Sequence, residues 1–237
     1  MARTYGQYCG ISAALELVGE RWALLIVRDL LVGPRRFTDL RQGLPGVPTN
    51  ILSARLKELQ HGGVVRRAHL AHCGLVYELT EFGRGLEEVV LSLGRWGWGA
   101  ADVPQPDQVL TIDSLTMALR SAFQPTAAAA LPATCYEVHV GELALSVTVA
   151  GTGLVIRPVG SPRPVDAAGG PLPVPDLVLR AGPAIGPLLG GDVAAAADPG
   201  SVSVEAGPAE LLARFAATFR LTPAHRPVPP DLLPTLA

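Results

Sequence analysis

Lysine is almost missing from this chain of 237 residues. Lys57 is the only one among 19 basic side chains, and arginine carries the rest of the positive charge. Together with abundant alanine, this bias is the mark of a GC-rich genome, and the hydrophobic fraction of 49% does not by itself indicate a membrane protein. No apolar run approaches the roughly 20 residues that a spanning helix needs; the longest candidate, "ALLIVRDLLV", is interrupted by Arg28 and Asp29. The opening "MARTYGQYCG" lacks an apolar signal core, so a cytoplasmic protein without membrane contact is expected. Cysteine is scarce as well. Cys9, Cys73 and Cys135 are odd in number and far apart, which argues against a disulfide framework and makes reduced thiols the expectation. Also missing are a nucleophile elbow, a phosphate loop and a His-rich metal motif, while "GTG" at 151–153 reads as a turn. The expectation is therefore no catalytic residues, no cofactor and no metal, and so no enzyme.

The length suggests two domains of roughly 100 residues, each large enough for a modest core. The formal net charge of −2 hides an asymmetry. Residues 1–100 carry 12 Lys+Arg against 9 Asp+Glu, a net of +3, and the remainder carry 7 against 12, a net of −5. Only the first half suits a polyanion.

Apolar spacing in the first half predicts helices. "SAALELV" and "ERWALLIVRDLLV" place Leu15, Val18, Trp22, Leu25, Ile26 and Leu30 at helical intervals, as core helices, and Gly33-Pro34 follows as a stop. A short helix in "RRFTDLRQGL" and another in "PTNILSARLKELQHGG" complete a helix-turn-helix outline. In the last of these, Leu52, Leu56 and Leu59 share one face, Asn50, Ser53, Ala54 and Lys57 lie opposite, and Arg55 sits on the flank beside Ile51. The outward face is small, polar and basic. It suits either a solvated surface or a DNA major groove, where amides and hydroxyls meet base edges. "VVRRAHL" and "LVYELT" then read as two strands joined by "AHCG". This is a basic hairpin carrying Arg66, Arg67, His69 and His72, placed as the wing of a winged helix would be. His69, His72 and Cys73 could be taken for metal ligands, but no fourth ligand is near in sequence.

These segments, with "GPRRF", "LSARLKEL", "YELTEFGRGL" and "RWG", closely resemble the HxlR-type winged helix-turn-helix transcriptional regulators of bacteria. The resemblance implies a DNA-binding and dimerisation domain over residues 9–98. It places DNA contacts at Thr49, Asn50, Ser53, Arg55 and Lys57 of the helix, at Arg66, Arg67 and His69 of the wing, and at Arg35 and Arg36 ahead of the preceding helix. Arg36 and Arg55 are alternatively internal ion-pair partners. A homodimer on an inverted-repeat operator is also implied. Residue spacing supplies a surface for it: Phe82, Leu86, Val89, Leu93 and Trp96 recur at steps of 4, 3, 4 and 3 after Thr80, a candidate N-cap. Packing within the same domain is the other use of that stripe. In some relatives a cysteine near the N-terminus senses oxidants or electrophiles. Cys9, just ahead of the first helix, is the matching residue here, and a buried inert thiol is the alternative.

A linker over 99–112 precedes a second domain at 113–221, and 222–237 reads as a flexible tail. Asp113 and Ser114 are candidate caps of a helix in "DSLTMALRSAF". An antiparallel meander follows ("TCYEVHV", "ELALSVTV", "GLVIRPV"), then strand "DLVLRA", a short helix in "GPAIGPLLGG", strand "SVSVEAG" and helix "PAELLARFAATF". The fold class is α+β: a winged helix followed by a sandwich-like α/β domain with a mostly antiparallel sheet covered by helices. That order resembles the sterol carrier protein family, whose members hold an apolar ligand between sheet and helices. The resemblance makes Leu115, Leu119, Phe123, Ile185, Leu188, Leu189, Leu212, Phe215 and Phe219 walls of a pocket for a small apolar metabolite or lipid. As alternatives, the same residues form plain core, and the domain is an architectural or protein-interaction module.

Overall fold

The computed structural model describes residues 4–98, 108–161, 163, 170–182, 186–190 and 202–222. The first part of the chain runs α1 (Gly10–Val18), α2 (Ala23–Val32), α3 (Phe37–Gly43), α4 (Thr49–His61), β1 (Val65–Leu70), β2 (Gly74–Leu79), α5 (Glu81–Arg84) and α6 (Glu87–Trp98). Leu52, Leu56 and Leu59 of α4 are buried, as their spacing predicts, with Ile26, Val27, Leu30 and Leu40. β1 and β2 form an antiparallel hairpin, and Gly74 takes the left-handed backbone that closes its turn. Arg35 pairs with β2 as a single-residue antiparallel bridge, its N–H donating to the Tyr77 carbonyl at 2.9 Å and its carbonyl accepting from the Tyr77 N–H at 2.8 Å. The α2–α3 connection is thereby fastened to the wing.

Two expectations about this half need correction. Leu15 and Leu25, assigned to core helices from their spacing, are 43% and 40% exposed: α1 buries only Ser12 and Val18, and α2 turns Ala23, Ile26, Val27, Asp29 and Leu30 inward and leaves Leu25 on its outer side. The single amphipathic helix expected after Thr80 is two helices broken at Gly85. Thr80 does cap the first, its hydroxyl accepting from the Gly83 N–H at 3.0 Å. The break turns Leu86 inward against the winged-helix core, while Phe82, Val89, Leu93 and Trp96 remain exposed.

The second part comprises α7 (Ile112–Ala122), α8 (Pro125–Ala129), β3 (Thr134–Val140), β4 (Leu143–Ala150), β5 (Gly153–Pro158), β6 (Leu177–Ala181), α9 (Gly186–Leu189), β7 (Val202–Ala206) and α10 (Glu210–Thr218). The strands form one sheet in the order β5-β4-β3-β6-β7. The meander is antiparallel as expected, but β6 joins β3 in parallel, and α8 has no counterpart in the sequence expectation. Alternation along β3, β4 and β6 buries Tyr136, Val138, Leu145, Val147, Leu177 and Leu179 against the helices. The α7 cap is Thr111, which exchanges hydrogen bonds with Ser114. Asp113, expected as a cap, is instead buried in the first turn.

The residues expected to wall a ligand cavity fill this interior. Leu115, Leu119, Leu189, Phe215 and Phe219 are fully buried, with Phe123 and Leu212 packed against them. The rings interlock, with Phe215 and Phe219 centroids 4.7 Å apart and Tyr136 edge-on to Phe215 at 5.2 Å. Ile185 and the side chain of Leu188 lie outside the described residues, as do 99–107 of the expected linker and 223–237 of the expected tail. No helix among the described residues is long and apolar enough to cross a membrane.

α7 is the joint between the two cores. It packs on α2 and α6, and Arg120 at its far end donates to the Leu31 carbonyl at 3.0 Å and pairs with Glu87.

Candidate nucleic-acid interface

The apolar face of α4 is anchored by its three leucines, which leaves the opposite face outward. Thr49, Asn50 and Lys57 are exposed and Ser53 is half-buried. Their amide, hydroxyl and ammonium groups stand on one side of a helix whose position is fixed, an arrangement chemically suited to base edges. Arg55 is turned away from this face. It pairs with Glu58 and, at 3.7 Å, with Glu20, and only 15% of its side chain is exposed. Arg36 is similarly engaged: it begins α3 in a reciprocal cap, with Nη2 2.8 Å from Asp39 Oδ1 and its backbone N–H donating to Asp39 Oδ2 at 2.9 Å. The internal-pair alternative describes both arginines.

On the wing, Arg66, Arg67 and His69 are exposed. Arg66 is cross-strand from Glu78, with Nε 2.7 Å from its carboxylate. Arg67 lies over the Tyr77 ring, 5.5 Å from the centroid, with Nη2 3.2 Å from the phenol oxygen. Stacking on the ring orders this guanidinium while leaving its edge in solvent. Arg41, at the exposed end of α3, adds a positive charge that sequence spacing does not single out.

Arg35 is misplaced as a DNA contact. Its side chain is 2% exposed and its Nη2 lies 2.7 Å from Oδ1 of Asp113, which is 1% exposed; Nε reaches Oδ2 at 3.3 Å. Arg163 approaches the same carboxylate from the other side, at 2.8 and 3.2 Å. Burial alone would raise the Asp113 carboxyl, but the hydrogen bonds and charges of Arg35 and Arg163 outweigh it and hold it below the usual carboxylate range. A fully buried guanidinium in two hydrogen bonds to one carboxylate locks the chain; it does not read DNA. Neither Asp113 nor Arg163 was legible as a partner, because 78 and 50 residues separate the bonded groups and no local pattern marks them.

Beside this clamp lies Asp29, fully buried. Its Oδ1 accepts from Arg28 Nε at 2.8 Å, and its Oδ2 has no hydrogen-bond partner among the described residues. Burial, with the nearby Asp113 charge adding to it, pushes this carboxyl up to about 7 against the pull of Arg28 and Arg35.

Cys9 is exposed at the N-cap of α1. The Ser12 and Ile11 backbone N–H groups hold its thiol below the usual range. Cys135 is buried and Cys73 half-buried. Among the described residues, no group of three or more His, Cys, Asp or Glu side chains is placed to hold a metal.

Comparison with known proteins matches residues 17–104 to the HxlR-like helix-turn-helix family. Among curated relatives, the uncharacterized HTH-type transcriptional regulator YybR of Bacillus subtilis is 33% identical over 97 residues, 40% of this chain and 78% of that protein. The HTH-type transcriptional regulator YodB of the same organism is 34% identical over 88 residues, 36% of this chain and 79% of that protein. Among solved structures, the redox regulator HypR in its oxidized form is 32% identical, with a TM-score of 0.38 and coverage of 40% of this chain and 100% of that one. The likeness of the second half to sterol carrier proteins gains no support from these matches and rests on element order alone. With YybR and YodB each matched over more than three quarters of their length, the chain belongs to the HxlR-like helix-turn-helix family.

Proposed function

We propose that this protein is a bacterial transcriptional regulator that acts as a homodimer on an inverted-repeat operator, by binding rather than catalysis. The observation that carries the reading is the juxtaposition of an anchored α4, presenting Thr49, Asn50, Ser53 and Lys57, with a wing presenting Arg66, Arg67 and His69. α4 enters the major groove and the wing meets phosphates beside it. Arg36 and Arg55 support these elements through their ion pairs. The second copy covers the exposed apolar residues Val89, Leu93 and Trp96 of α6 together with Ile11 and Leu15 of α1, since several large apolar side chains left exposed on neighbouring turns of a helix are characteristic of an interface. The units of the molecule are then a winged helix over 9–98, a linker over 99–112 and a second, sterol-carrier-like domain over 113–221 that senses a small apolar ligand.

The test is titration of duplex DNA at rising salt. Binding weakens with a log-log slope of about −0.9 per phosphate neutralised, and replacing Arg66 and Arg67 by Ala flattens the slope by about 0.9 for each phosphate no longer neutralised. Asn50→Ala instead alters preference at one base position by about 1–3 kcal/mol. Salt-insensitive binding would contradict the proposal.

A second reading is favoured by one observation, the exposed Cys9 thiol held low by the first N–H groups of α1: the regulator responds to oxidants or electrophiles there. A quinone or mild oxidant then lowers operator affinity in the parent protein and leaves Cys9→Ser unaffected. Equal responses from both remove Cys9 from the mechanism.

A further inference from the structure

α2, α6 and α7 do not close completely where they meet. Leu24, Val90, Trp98 and Met117 help to wall a cavity of about 290 Å³ at the seam between the two cores, at the small end of the roughly 300–1,000 Å³ that ligand pockets occupy. Its lining is mostly apolar, and among the described residues that line it only Arg28 is charged. The Nε and Nη2 atoms of that guanidinium, at 2.8 and 2.7 Å, both reach a single oxygen, Oδ1 of Asp29. The other oxygen of this fully buried carboxylate has no hydrogen-bond partner among the described residues. The charges around Asp29 are Arg28 on its own helix, Arg35 in the connection to α3, and Asp113 on α7, itself held by Arg35 and Arg163. An apolar chamber ending in one cation, whose counter-ion is only half satisfied, is built for a molecule with an apolar body and one negative end.

We propose that this cavity is an effector site for small aromatic or alicyclic monocarboxylates, whose rings fill the chamber and whose carboxylate pairs with Arg28. As the ligand takes over the guanidinium, Asp29 accepts one proton from solvent, so one carboxylate enters and one is neutralised. The site deepens the ligand-sensing reading and moves it from the packed interior of the second domain to the seam. Leu25 and Leu93 also line the cavity; both are exposed, and Leu93 belongs to the surface assigned to the second copy. Occupancy is therefore felt where the dimer forms.

The experiment is calorimetric titration of the full chain with 2-naphthoate and with its uncharged analogue 2-naphthamide, in buffers of different ionisation enthalpy at pH 6, 7 and 8. The acid binds at least about tenfold more tightly than the amide, takes up about one proton at pH 8, and loses about fivefold in affinity between pH 7 and 8. Arg28→Met removes the preference for the acid, Asp29→Asn removes the proton uptake while retaining binding, and Ala118→Phe, which fills the chamber, abolishes both. No heat with a folded protein, equal binding of acid and amide, or binding indifferent to Ala118→Phe would overturn the proposal. Operator affinity is measured separately: its absence beside intact naphthoate binding contradicts the DNA reading alone, and the converse contradicts this one alone.

Discussion

At the scale of single residues, two buried aspartates on different helices have opposite titration behaviour. Asp113 is ionised between two arginines, so its stabilisation is present above about pH 4, the unfolded value, and is lost as pH falls. Removing it strands two charges that it bonds. Asp113→Ala should therefore cost about 3–5 kcal/mol in denaturant unfolding at pH 7; a loss under about 1 kcal/mol would show that the clamp is not closed in solution. Asp29 runs the other way. Its folded value near 7 exceeds the unfolded one, so the native state holds the extra proton and stability falls as pH rises from about 4 to 7. The accumulated difference is roughly 4 kcal/mol. Asp29→Asn should be more stable than the parent at pH 8 and nearly equal to it at pH 4, and parallel stability curves for the two proteins would contradict the assignment.

At the scale of elements, the stretch "YELTEFG" shows why a glycine ends the pattern. A Cβ on Gly83 would overlap the Val64 carbonyl, so α5 packs against the start of the wing only because Gly83 has no side chain. Gly83→Ala should destabilise by about 1–3 kcal/mol, read as a lower thermal midpoint. The elements that were legible in sequence are those whose partners are local or periodic. The leucines of α4 declare its buried face, the hairpin declares itself by two strand runs around a Gly turn, and Thr80 caps where its spacing says. What was not legible depends on contacts far along the chain. Arg35 looks like Arg36 in sequence, and only the approach of α7, 78 residues later, sends one inside and leaves the other at a helix start. The same holds for α1, where Leu15 shares core spacing with the buried Val18 and yet faces outward, and for the parallel placement of β6, since periodicity reports a buried face but not the neighbour that buries it.

At the scale of the whole molecule, α7 joins two cores through the Asp113 clamp at one end and through Arg120 at the other. The second core is thereby connected to α2, to α6 and, through the backbone pairing of Arg35 with Tyr77, to the wing. In the proposed dimer the second copy covers the exposed face of α6. Trp96→Asp, with that ring 67% exposed and thus tolerant of charge in a monomer, should leave the fold intact and shift sedimentation from dimer to monomer; an unchanged dimer would place the interface elsewhere. The central claim, that two copies present α4 and the wing to adjacent turns of one duplex, is tested most directly by selecting bound duplexes from a random pool and footprinting the winner with the full chain. Two chains per duplex, with protected major-groove segments about 10 base pairs apart and related by a two-fold axis, and loss of that pattern in Asn50→Ala with Lys57→Ala, is the predicted result. One chain per duplex, or the same footprint in the doubly substituted protein, would contradict it.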